Sequence, residues 1–117
     1  MPEVLEVTRL RLAAGLAPAD FVAANDDINA YLRRQPGFRW RRIVETNDGG
    51  IIDIVAYDNH PHAHAGAAGI TSEMAASPVH STIDHSAVDW QITTVLQHVT
   101  GPRPENRFLQ EAKRRRR

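Results

Sequence analysis

The sequence predicts an α+β domain in the order β-α-β-β-α-β, a ferredoxin-like arrangement of one four-stranded antiparallel sheet with two helices on one face. Three observations carry that expectation. Apolar and β-branched residues concentrate in four short segments, and two stretches between them repeat their apolar residues at helical spacing. Between the second and third of those segments lies NDGG, residues 47–50, whose Asn, Asp and Gly supply the positive φ angles that hairpin turns need.

Residues 4–12, VLEVTRLRL, are rich in Val, Leu and Thr and read as the first strand, broken by Gly15 and Pro18. From Pro18 to Arg34, Phe21, Asn25, Ile28 and Leu32 follow a helical period, with proline at an early position and arginines near the carboxyl end. QPG then stops the helix. Residues 38–46 and 51–57 flank NDGG as strands two and three. A second helix is expected over 59–77: Asp58 and Asn59 suit its cap, Pro61 its first turn, and Ala63, Ala67, Ile70 and Met74 its buried stripe. Residues 86–98 alternate, with Val88, Trp90, Ile92, Thr94 and Leu96 on one face, and form the fourth strand.

At 117 residues the chain is one domain's worth. The reading divides it into a folded domain over 1–99 and a basic tail over 100–117, extended or partly helical. Hydrophobic residues at 42% and charged residues at 24% exclude a disordered or fibrous chain. Fourteen cations balance fourteen anions, so the molecule as a whole is not built to attract a polyanion. Five of those cations form KRRRR at 113–117, a run that usually marks a solvated tail. The absence of cysteine excludes disulfides, thiolate ligands and a cysteine nucleophile, and suits a reducing cytoplasm. No apolar run approaches the ~18 residues of a membrane span, and the first residues lack a basic leader, so a cytoplasmic protein without membrane contact is expected.

Strands one and three carry apolar residues at both parities: Leu5 and Val7 against Leu10 and Leu12, and Ile51 and Val55 against Ile52 and Ile54. With the helices on one face, the other face is also apolar. A bare surface of that kind exceeds the few hundred Å2, roughly, that a soluble monomer shows, so a homodimer through the open sheet face is expected.

With these elements in place, the chain resembles the dimeric α/β-barrel superfamily, in particular its antibiotic-biosynthesis-monooxygenase-like branch. The resembling residues are EVTRLRL in strand one, FVAANDDINAYLRRQPGF for the first helix and its stop, DGGIIDIVAY for the hairpin, and STIDHSAVDW leading into strand four; together they span about residues 4–98. The resemblance implies a pocket between sheet and helices in each protomer, and an activity among those of cofactor-free quinol-forming monooxygenases, haem-degrading enzymes and members without known activity. The haem-degrading members use an asparagine on strand one, a tryptophan ending strand three and a histidine on the second helix. Here Thr8 and Tyr57 take the first two positions and His80 is the nearest match to the third, which argues against haem breakdown.

His60, His62 and His64 stand at every second position. In a strand they would converge, but at about 100° per helical residue His62 turns away from the other two. A pair one turn apart does not make a closed metal site, and no metal is expected. Asn25 falls in the middle of an apolar stripe and must point at the sheet, where its amide needs partners: it either fixes the helix or orients a ligand. Asn29 lies on the flank of that stripe. Asp53 interrupts an apolar strand and needs a cation or proton donor, expected from Arg9, Arg11, Arg42 or His80. It is either a structural ion pair or a relay with His80. Trp40, Tyr57, Trp90 and Thr8 are candidates to line a pocket for a planar molecule. His80, in the connector before strand four, is the preferred proton carrier, and His85 reads as a surface residue. Strand three lacks the basic residue and Gly-aromatic pattern of RNA-binding sheets, so no nucleic-acid contact is expected. The expected function is a cofactor-independent monooxygenase-like activity on a small aromatic or quinol-type molecule, with His80, Asn25 and Asp53 as its catalytic residues. The alternative is a non-catalytic or stress-related barrel that binds a small ligand without turnover.

Overall fold

Hairpin chemistry and strand alternation fold this chain in the predicted element order, with the first helix split in two, the bounds of the second helix and fourth strand moved, and the parity of the second strand reversed. The computed structural model describes residues 2–102; the KRRRR run lies outside the described residues. Four strands form one sheet: β1 (Val4–Leu12), β2 (Phe38–Glu45), β3 (Ile51–Tyr57) and β4 (Ile83–Thr94), in the order β2-β3-β1-β4 with every neighbour antiparallel. This is the expected ferredoxin-like topology, with β1 and β3 central. At the β2–β3 turn, Gly49 has φ 83° and the Thr46 hydroxyl accepts from the Gly50 N–H at 2.9 Å, so the loop meets its own backbone needs.

The first expected helix is two helices, α1 (Pro18–Ala23) and α2 (Asp26–Arg33). The break falls in the run Asn25, Asp26, Asp27, residues whose short polar side chains favour helix starts over helix interiors. Asn25 caps α2 with φ −97° and ψ 5°, its N–H bonding to Val22 O while its own carbonyl takes the Asn29 N–H at 2.8 Å. The two aspartates then face the positive end of α2. Helix α3 (His60–Thr71) begins as expected on Asn59, whose side chain accepts from the His62 N–H at 2.9 Å, with Pro61 in the first turn. It ends earlier than expected. The Thr71 and Ser72 hydroxyls both bond to the Ala68 carbonyl, and this local competition for the backbone closes the helix. A 3-10 turn at Pro78–Thr82 feeds β4, which starts three residues before the expected position because β1 continues pairing past an irregularity between Arg9 and Arg11.

The parity shift is in β2. A bulge between Phe38 and Trp40 sends Phe38, Arg41 and Ile43 to the helix side and Trp40, Arg42 and Val44 to the other. Three rows therefore cross the helix side of the sheet: Phe38–Tyr57–Val4–Thr94, Arg41–Val55–Glu6–Ile92 and Ile43–Asp53–Thr8–Trp90. Tyr57 and Val4 of the first row pack with Leu32 and Ala63 into the core, and Phe38 lies against them. Gly66 of α3 lies against the Tyr57 hydroxyl, and the Tyr31 hydroxyl donates to the Gly66 carbonyl at 2.8 Å, so small residues let this helix sit close to two tyrosines. The opposite face presents Leu5, Val7, Ile52, Ile54 and Val44, together with Trp40 under the Arg42 guanidinium at 5.0 Å. No helix among the described residues is long and apolar enough to cross a membrane.

Candidate active site

Over the second and third rows, sheet and helices, α3 among them, part around a cavity of about 510 Å3. Its walls are apolar: Leu10, Phe21, Ile28, Leu32, Val55, Ile70, Val79 and Val88. Glu6, Thr8, Arg41 and Asp53 supply polar groups from the sheet, Asn25 from the start of α2, and His64, His80 and His85 from the rim opposite.

The Arg41 guanidinium organises the polar side. It donates to both Asp53 oxygens, from Nε at 2.9 Å and from Nη2 at 2.6 Å, to Asn29 Oδ1 at 2.8 Å and to Asn25 Oδ1 at 2.8 Å. Four contacts occupy four of the five N–H groups an arginine carries. The side chains of Arg41 and Asp53 are only 9% and 14% exposed, so this is a buried, bidentate ion pair in which each member needs the other. Asn25 is fully buried, and its Nδ2 donates to the Phe21 carbonyl at 2.7 Å. It is thus engaged at both ends of its amide, tying α1 to Arg41.

The expected partners of Asp53 need correction. Neither Arg9, Arg11, Arg42 nor His80 bonds to it; Arg41 does, because the bulge reverses the parity of β2. His80 lines the same cavity, yet its Nε2 lies 3.2 Å from the Ile70 carbonyl and 3.0 Å from the Met74 carbonyl. That nitrogen therefore carries the proton and Nδ1 is the basic one. The structure brings Asn25, Asp53 and His80 to one cavity without an Asp53–His80 relay.

Among the aromatic candidates, Trp90 and Thr8 line the cavity and stand opposite each other in the β1–β4 register. Tyr57 and Trp40 do not. Tyr57 is fully buried in the core row, and its hydroxyl has no hydrogen-bond partner among the described residues. Burial pushes its phenol well above the ordinary range, so it stays neutral. Trp40 lies on the opposite sheet face, another consequence of the bulge.

Three lining residues were not foreseen: Arg41, Glu6 and His64. Glu6 is 5% exposed on a central strand, and the Trp90 Nε1–H donates to its Oε2 at 2.6 Å. Burial pushes its carboxyl above the ordinary range; the Trp90 bond pulls it down, Asp53 pushes it up and Arg41 draws it down. The available signal was its parity: Glu6 shares a side with Val4, Leu10 and Leu12, as Asp53 does with Ile51 and Val55. His64 meets the Trp90 ring edge-on at 6.3 Å and stacks with His60 at 6.3 Å, while His62 turns away to Asp58 at 2.6 Å. Among the described residues no three His, Cys, Asp or Glu side chains are grouped to hold a metal ion.

No protein-family model matches the chain, and no curated protein does. Solved structures do. A variant of SnoaB, a cofactor-independent oxygenase from Streptomyces nogalater, is similar with a TM-score of 0.68 at 20% identity, over 86% of this chain and 100% of its own. What the two chains share is the fold, a four-stranded antiparallel sheet with helices on one face. The monooxygenase ActVA-Orf6 of Streptomyces coelicolor, in complex with nanaomycin D, matches with a TM-score of 0.60 at 12% identity, over 86% of this chain and 94% of its own. MhuD, with two manganese protoporphyrin IX molecules bound per active site, matches with 0.65 at 16%, over 84% and 99%. Identities this low carry the fold and not the reaction.

Proposed function

We propose that the protein is a cofactor-independent monooxygenase acting on a small hydroxylated aromatic molecule, of hydroquinone type, held in the cavity between sheet and helices. The observation that carries this reading is the joining of two features in one cavity: apolar walls sized for a planar ring, and a buried polar cluster beside them. A pocket for mere bulk would be dry. In this chemistry the substrate supplies the electrons: a hydroquinone and dioxygen give a hydroxyquinone and water, one oxygen atom entering the ring and the other leaving as water. The protein has to exclude solvent, orient the ring and move protons. Trp90 and Thr8 would flank the ring. His80 would exchange the substrate's proton through Nδ1, while Asn25 and Asp53 act through Arg41 by fixing its guanidinium at the cavity wall. The structural likeness to a cofactor-independent oxygenase supports the reading.

Oxygen uptake with a panel of quinols and polyphenols tests it. At least one panel member is consumed by the wild-type protein, and His80→Ala slows that consumption about 100-fold, the scale of a lost acid–base group, without unfolding the domain. No uptake with any panel member overturns the oxygenase reading and leaves a binding protein.

The same reading makes the active form a homodimer. Leu5, Val7, Ile52 and Ile54 from the two central strands form the apolar centre of the open sheet face, and burying it against a second copy removes that area from water. Sedimentation should give twice the chain mass for the wild type and a single chain mass for Ile54→Asp; a wild-type monomer rejects the dimer.

A further inference from the structure

Charge in the cavity is unevenly settled. The Arg41 guanidinium is matched by Asp53 in a bidentate pair, so its charge is already neutralised where a ligand would meet it. Glu6, two strands from Arg41 in the same row, has no cation partner of its own among the described residues. Its Oε2 is fixed by the Trp90 indole at 2.6 Å. Its Oε1 makes no hydrogen bond among the described residues, and it is not one of the sealed, unpartnered atoms, a condition found there only for the Tyr57 hydroxyl. Oε1 is therefore open to the cavity that Glu6 lines. The remaining titratable groups there are the rim histidines His64, His80 and His85.

We propose that Glu6, clamped by Trp90, is the specificity-determining group of this cavity: its free oxygen accepts a hydrogen bond from a ligand hydroxyl, and its charge rejects ligands that arrive as carboxylates. The proposal rests on the reading of this cavity as the ligand site and not on turnover there. A neutral hydroxyl gives the buried carboxylate the donor it lacks, and a proton passing between them moves charge within the site without adding any. A carboxylate ligand adds a second uncompensated negative charge to a buried place, beside a guanidinium already paired. Trp90 makes the choice directional, because its N–H holds one carboxylate oxygen and leaves only the other to the ligand.

Calorimetric titration of the full chain at neutral pH with three probes of one shape, α-naphthol, its methyl ether and α-naphthoate, tests this. The wild type should bind α-naphthol at least about tenfold more tightly than the ether, the scale of a hydrogen bond to a charged acceptor, with α-naphthoate weakest. In Glu6→Gln the side-chain carbonyl still accepts from Trp90, but the cavity now offers an N–H. The preference for the naphthol over its ether should fall to within about threefold, and α-naphthoate should bind at least about tenfold better than it does to wild type. Equal binding of the three probes by wild type, no binding of any, or a preference that survives Glu6→Gln overturns the proposal. If Glu6→Gln does not fold, the indole N–H resonance of Trp90 in the wild type decides: it shifts with α-naphthol and not with the ether, and equal shifts count against Glu6. Naphthol selectivity without oxygen uptake from any quinol removes the oxygenase reading and leaves this one standing; uptake without selectivity does the reverse.

Discussion

On the helix side of the sheet, the row Phe38–Tyr57–Val4 and the row Ile43–Asp53–Thr8–Trp90 sit four residues apart along β1 and β3, on the same strands and facing the same way. The first is sealed. Val4 and Tyr57 are fully buried, and α3 comes close because Gly66 and Ala63 present no bulk. The second carries a carboxylate, a hydroxyl and an indole, and the helices stand off from it around the cavity. The difference lies in which helix residues face the sheet. Glycine and alanine bring one helix down, whereas Phe21, Asn25 and Ile28 hold α1 and α2 at the distance that a guanidinium and its partners need. One sheet thus keeps a packed end and a polar end that borders the cavity.

The largest effect belongs to the polar end. Asp53→Ala leaves the Arg41 guanidinium buried without its counter-charge, and a loss of about 3–5 kcal/mol in chemical denaturation is expected. The double variant Arg41→Met, Asp53→Leu should recover part of that loss, since it removes the unpaired charge but leaves the buried Asn25 Oδ1 without its donor. If Asp53→Ala costs less than about 1 kcal/mol, the polar end is not held by this pair and its contrast with the packed end fails.

A middle effect tests the packed end. A Cβ added at Gly66 would fall on the Tyr57 hydroxyl, so Gly66→Ala should destabilise by about 1–2 kcal/mol despite alanine's better helix propensity. Tyr57→Phe removes a buried hydroxyl without a partner among the described residues, and should leave stability unchanged or raise it by up to about 1 kcal/mol. Combining the two should give less loss than the sum, a coupling visible in a double-mutant cycle. Strict additivity would show that α3 does not rest on Tyr57.

The fold was legible because its signals are local: NDGG makes a hairpin whatever surrounds it, and Asn59 with Pro61 starts α3 on its own. The site was legible only where parity could be trusted. Asn25 and Asp53 stood out as polar residues in apolar stripes, and both lie where their parity placed them. Arg41 was missed, and Trp40 and Arg42 misplaced, by the bulge after Phe38, an irregularity set by sheet packing that leaves no mark in FRWRR. Glu6 was missed for another reason: β1 is apolar on both sides, so an acid at one position did not identify the covered face until the helices did.

The smallest effect concerns Glu6, the member of the middle row that belongs fully to neither end. Burial raises its carboxyl above the ordinary value of about 4.3, so between that value and the raised one the folded protein holds a proton that the unfolded chain releases. More protons bound in the native state means that stability falls as pH rises through this window, and is fully present only below it. Gln does not titrate. The stability difference between Glu6→Gln and wild type should therefore grow in favour of the variant as pH rises from the ordinary carboxylate range through the raised value and level off above it, while the Arg41–Asp53 pair, present in both proteins, cancels from the comparison. Thermal melts of the two proteins across that range measure it. A difference independent of pH, or one that shrinks as pH rises, would place Glu6 among ordinary solvated carboxylates and extend the packed end's neutrality into the cavity row.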